Sequence, residues 1–134
     1  MKIDNSVFRY IEHELYNYDK TKKDLELYRE NVLESTPFKE VSVQAGLGDP
    51  TASKAVKLSS SAFVINAENV LYAVDKALAV LGDRYRDIFK YKYQLGWPWQ
   101  EVAVELDLSD RTFFRLRREF VTLVGQYMGL VDVG

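Results

Sequence analysis

The fold turns on residues 95–118, which read LGWPWQEVAVELDLSDRTFFRLRR. Gly96 can end a preceding helix, and Pro98 can open the next at its first helical position, where no N–H partner is needed. A short helix then runs from Trp99 to about Leu106, with Val102, Ala103 and Leu106 inward at i, i+1 and i+4. Asp107-Leu108-Ser109 is a three-residue turn. Ser109 caps a longer helix from Asp110 to about Met128, whose inward side is Phe113, Leu116, Phe120, Leu123 and Tyr127. Ala103 falls where the two helices cross closest, which calls for a small side chain. Asp107 stands where the chain turns left-handed, a conformation aspartate tolerates better than most residues. Leu108 plugs the turn into the core. Together these spacings describe a helix-turn-helix between Trp99 and Arg118.

With the inward positions assigned, Asp110, Arg111, Phe114, Arg115 and Arg118 face outward, and Ser109 to Arg118 holds four arginines against one aspartate. Such a face suits the major groove of double-stranded DNA. Arg111 and Arg115 are the first candidates for guanine, because a guanidinium can bind O6 and N7 together. Phe114 can touch a thymine methyl or pack on a neighbouring helix, and Asp110 can select cytosine. Arg118 and Arg117 suit phosphates, with an internal ion pair as the alternative for Arg117. On the preceding helix Arg84, Arg86, Lys90 and Lys92 are candidates for backbone contacts, simple solvation being the alternative. Ser109 and Thr112, at the start of the second helix, complete the candidate DNA-binding set.

Working outward, Asp83 begins a helix with Tyr85, Ile88, Phe89 and Tyr93 on one side, and Gly82 offers a stop before it. A central helix is expected from Asp49-Pro50-Thr51 to Leu81, with Ala55, Leu58, Ala62, Ile65, Val70, Val74, Leu78 and Leu81 on its apolar face. Residues 36–48 read as a connection, with a short extended piece at Val41-Ser42-Val43. An N-terminal helix from Ser6 to about Ser35 carries Ile11, Leu15, Tyr18, Leu25 and Val32 in a heptad-like stripe, interrupted by Lys22 and Arg29. It ends at Ser35-Thr36-Pro37. The expected architecture is all-α: a long N-terminal helix, a long central helix and a C-terminal helix-turn-helix. Residues 1–82 form a helical region and 83–134 a DNA-binding domain.

Composition bounds the function classes. At 134 residues, 47% apolar and 13% aromatic, the chain can bury a core and is not of disordered composition. The absence of cysteine removes disulfides, thiol nucleophiles and thiolate metal sites. A net charge of −2 by itself argues weakly against a nucleic-acid partner, but the arginines are concentrated in the last third. No apolar run is long enough to span a membrane and no basic start precedes an apolar h-region, so the expected location is cytoplasmic. Gly46-Leu47-Gly48 lacks the third glycine of a phosphate loop. His13-Glu14 begins like a zinc-protease motif, but Asn17 stands where the second histidine belongs. No acid/base pair with a defined partner is found, so neither enzyme activity nor a cofactor is expected. Trp97 and Trp99, at a helix junction, suit the core, stacking on bases being the alternative, and Tyr10, Tyr16, Tyr18 and Tyr28 suit packing along the N-terminal helix.

Leu95-Gly96-Trp97-Pro98-Trp99-Gln100-Glu101-Val102-Ala103, followed by Leu108-Ser109-Asp110-Arg111-Thr112, resembles the helix-turn-helix of region 4 in bacterial sigma factors. The chain as a whole is similar to phage transcriptional regulators of the ArpU/RinA type. That likeness rests on Ile11-Glu12 through Tyr18 with Thr21-Lys22-Lys23, on Asp49-Pro50-Thr51 through Lys54-Ala55-Val56-Lys57-Leu58, and on Leu108 through Arg118. The resemblance implies an activator of late genes in a phage or prophage of Gram-positive bacteria. The chain is too short for a full sigma factor. The acidic N-terminal helix would then dimerise, brace the domain or touch RNA polymerase. Two other classes remain open: a phage small terminase subunit, and a helical interaction module that does not bind DNA.

Overall fold

A computed structural model of the chain describes residues 3–34 and 61–132. The connection at 36–48, the extended piece at Val41–Val43, the glycines at 46 and 48, and the helix start at Asp49 with Ala55 and Leu58 lie outside the described residues. Among those described, all regular structure is helical: α1 (Asn5–Tyr16), α2 (Tyr18–Glu34), α3 (Ala62–Leu81), α4 (Asp83–Ile88) continuing as a π-helical segment (Phe89–Gln94), α5 (Trp99–Glu105) and α6 (Asp110–Tyr127).

The expected single N-terminal helix is interrupted at Asn17. The Asn17 side-chain amide donates to the carbonyl of His13 at 2.8 Å, and its backbone leaves helical geometry at φ −97°, ψ 8°. Asparagine offers the chain this local alternative to the helical ladder. The stripe itself is real, since Ile11, Leu15, Tyr18 and Leu25 are all buried. Asp4 caps α1 by accepting from the Ser6 N–H at 2.8 Å. The central helix departs from the expected face in its first turns. Ala62 is exposed and Ile65 is 54% exposed, while Val64 and Ala67 are buried. A helix this apolar offers several stripes at near-helical spacing, and burial selects Val64, Ala67, Val70, Val74 and Ala77.

The chain divides into two compact units, Lys20–Glu68 and a second made of Met1–Asp19 with Asn69–Gly134. In the first, Leu25, Val64 and Ala67 are buried, the rings of Tyr28 and Phe63 lie 5.3 Å apart, and Arg29 pairs with Glu68. The second carries the helix-turn-helix and includes α1. Its main core joins Ile11 and Leu15 of α1, Val70, Val74 and Ala77 of α3, Phe89 and Tyr93 of the π-helical segment, and Phe120, Val121 and Val124 of α6. Full burial of such a side chain contributes about 1.5–3 kcal/mol. Gly125 permits the close approach of α1 and the C-terminal turn to α6. A Cβ there would come within 2.7 Å of Ile11 Cδ1 and 2.8 Å of Val131 Cγ2, and fully buried Ile11 has little room to yield.

Candidate nucleic-acid interface

A second, smaller core holds the helix-turn-helix together. Ile88, Val102, Ala103, Phe113 and Leu116 are buried in it, rimmed by Tyr85, Tyr91, Trp97, Trp99, Leu106 and Leu108. Trp97 lies tilted against Tyr91 at 4.7 Å, and Trp99 stacks on Phe113 at 6.0 Å, which places both tryptophans in packing roles. Upstream, Gly96 at φ 73° ends the π-helical segment. Pro98 serves as the N-cap of α5 rather than its first helical residue, with extended backbone at ψ 148° that the fixed proline φ allows. The turn follows the sequence reading closely. Asp107 is left-handed at φ 54°, and the Leu108 N–H donates to the Ala103 carbonyl at 2.8 Å, closing α5. Ser109 Oγ then accepts the Thr112 N–H at 3.1 Å and donates to Thr112 Oγ1 at 3.0 Å. Their hydroxyls are thereby engaged in starting α6.

This start fixes which residues of α6 face water. Asp110, Arg111, Phe114, Arg115 and Arg118 are all exposed, on a face opposite buried Phe113, Leu116 and Phe120. Arg111 and Arg118 make no ion pair among the described residues. Arg115 reaches Glu119 at 3.3 Å, an exposed i, i+4 pair of the kind worth about 0–1 kcal/mol, so a base or phosphate can displace it. Glu119 also accepts from the Tyr85 hydroxyl, which ties α4 to α6. Burial, with the Glu119 hydrogen bond and charge, pushes the Tyr85 phenol up to about 12 against the opposing charges of Arg115 and Arg84. Arg86 is exposed and turned to Asp83 at 3.2 Å. Phe114, 39% exposed, leans on Trp99 at 4.6 Å and Phe113 at 5.5 Å, so it presents an edge to solvent from a packed position.

Two cations assigned to phosphates from sequence have other roles. Lys92 is 9% exposed, and its Nζ donates to the Tyr16 hydroxyl at 2.8 Å over the rings of Tyr16 and Tyr93. It lies on a π-helical turn, which rotates it inward and removes it from the candidate backbone contacts. Arg117 takes the alternative left open for it. Its Nε and Nη2 donate to both oxygens of Glu12 in α1, each at 2.8 Å. Glu12 also accepts from Tyr93 at 2.5 Å. Burial opposes ionisation of Glu12, but the hydrogen bonds from Arg117 and Tyr93 and the charges of Arg117 and Lys92 outweigh it and hold the carboxyl below its usual range. The Glu12 bonds likewise hold Arg117 above its usual value, in spite of burial. Tyr16 is exposed overall although it meets Tyr93 edge-on at 4.8 Å, and Tyr10 is exposed, so neither is a core residue. His13 is exposed.

Ile11 and Leu15 of α1 and Tyr18 of α2 are buried in the chain's own core. Among the described residues no helix is long and apolar enough to cross a membrane.

Residues 71–118 match the family model described as sigma-70, region 4. The match runs from the second half of α3 through the turn to the last exposed arginine of α6. No curated protein and no solved structure matches the chain. The chain thus carries a sigma-70 region-4-like helix-turn-helix of the DNA-binding kind.

Proposed function

We propose that this protein is a sequence-specific double-stranded-DNA-binding transcription regulator, an activator of late genes in a phage or prophage. The observation that carries the reading is the outward face of α6, where Arg111, Phe114, Arg115 and Arg118 stand exposed over a packed helix-turn-helix. In this reading α6 enters the major groove by its first turns, Arg111 and Arg115 bind guanines, and Arg118 and Arg84 meet phosphates. Asp110 discriminates against wrong sites, since a carboxylate only accepts hydrogen bonds and so needs an amino donor, such as that of cytosine, at its position in the groove. The similarity to the ArpU/RinA regulators supports the activator role, with RNA polymerase as the second partner and the cytoplasm as the location.

Selection of bound sequences from random duplex DNA gives the operator and the test. Arg115→Ala should weaken binding to the selected duplex by about 1–3 kcal/mol and relax preference at one base pair. Equal loss on selected and random duplexes would reduce Arg115 to a phosphate contact. Failure of the wild type to hold any duplex at low salt would favour an interaction module. A reporter driven by the selected promoter, run beside a packaging assay, separates activator from terminase subunit. Stimulated packaging with a silent reporter would sink the activator reading.

A further inference from the structure

Arg117 and Arg118 are neighbours on the helix assigned to DNA, yet only one of them is offered to solvent. The Arg117 side chain is 25% exposed and that of Glu12, which grips it through two hydrogen bonds, 13%. Its guanidinium carbon lies 5.0 Å from the ring centre of Phe8 and 6.0 Å from that of Phe114. Arg117 is therefore held between α1 and the one aromatic side chain of the exposed α6 face. We infer that Glu12 is a specificity-determining residue for DNA binding: it withholds the Arg117 charge from phosphate and fixes Arg117 as the support against which Phe114 is oriented.

The physical argument has two parts. A free arginine beside the groove-facing residues would add a phosphate contact, which raises affinity for every sequence alike and so dilutes selectivity. Glu12 is also the carboxylate shared by two enclosed cations, Arg117 by direct hydrogen bonds and Lys92 through its field. Without that negative charge the two cations repel each other. Lys92 is walled in by Tyr16 and Tyr93, so Arg117, the more exposed, is the one that swings outward.

The inference rests on the DNA-binding reading above, and one experiment tells their failures apart. The full chain as wild type, Glu12→Gln and Arg117→Gln is titrated with selected and random duplexes over a range of salt, with thermal melting as a control for folding. Glu12→Gln should bind random duplex about tenfold more tightly at about 50 mM salt, with a salt slope steeper by about 0.9, the increment for one phosphate. Its preference for the selected duplex should fall. A merely structural role would weaken both duplexes alike and leave the slope unchanged. Arg117→Gln should keep the wild-type slope, because its charge reaches no phosphate. Should Glu12→Gln not fold, that second slope decides. A value shallower by about 0.9 would place Arg117 on phosphate in the wild type and overturn the inference. A folded Glu12→Gln with unchanged slope and selectivity overturns it too, while duplex binding by the wild type keeps the DNA reading standing. No duplex held by any of the three overturns both.

Discussion

The two cores of the helix-turn-helix unit draw on the chain in opposite ways. The smaller one is assembled from a single continuous stretch, Ile88 to Leu116, folded on itself through one turn. The larger gathers Ile11, Val74, Tyr93 and Val124, residues from both ends of the sequence. The smaller core shapes the exposed face of α6: Ala103 and Phe113 are buried in it, while Arg111 and Arg115 are exposed. The larger core anchors the other half of the same helix, through Phe120, Val121 and Val124. One helix thus presents an exposed arginine face in its first turns and serves as a structural beam in its last, and α1 braces the beam. The geometry of that exposed face is local, whereas its anchoring is not.

The severest way to break this comparison is to remove residues 1–19. Deletion strips Ile11, Leu15 and Tyr18 from the larger core and leaves Arg117 and Lys92 without Glu12. Losing one such aliphatic side chain alone costs about 2–5 kcal/mol, against a total stability of about 5–15 kcal/mol. The truncated chain should show no cooperative melting transition by circular dichroism. A sharp transition at the full-length midpoint would mean that the smaller core stands without the larger.

Ala103→Leu tests the local core. Overpacking the α5–α6 crossing should cost about 1–3 kcal/mol and weaken DNA binding, although no side chain of the candidate contact surface is altered. Unchanged melting and binding would place the crossing elsewhere. The smallest effect belongs to the turn. Asp107 is exposed, so Asp107→Val removes no core contact, but it forces a β-branched residue to φ 54°. The expected loss is about 1–2 kcal/mol by denaturant titration, with Asp107→Gly close to wild type. Equal stability of the valine and glycine variants would show that the turn relaxes out of the left-handed region.

Legibility in the sequence follows the same division. The α5–turn–α6 register, the Ser109 cap, the left-handed Asp107 and the exposed set at Asp110, Arg111, Phe114, Arg115 and Arg118 all depend on near neighbours, and all stand where the spacing places them. One reading that failed depended on packing partners rather than near neighbours. Ile65 fits an apolar stripe on α3 as well as Val64 does, and only packing selects between them. The break at Asn17 had a signal that could have been used, since asparagine in mid-helix competes for backbone carbonyls. The π-helical turn carries no comparable mark in FKYKYQ, and it is what sends Lys92 inward.

The sequence by itself determined the helix-turn-helix and the face it shows, because capping, turn conformation and helical periodicity act over a few residues. What only the tertiary structure decided is the fate of individual charges. Arg117 and Arg118 are adjacent and chemically identical, yet one is exposed and the other is bound by a carboxylate 105 positions earlier in the chain. Burying a cation is tolerable only where an opposing charge and hydrogen-bond acceptors meet it, and no local pattern records where such a partner will arrive.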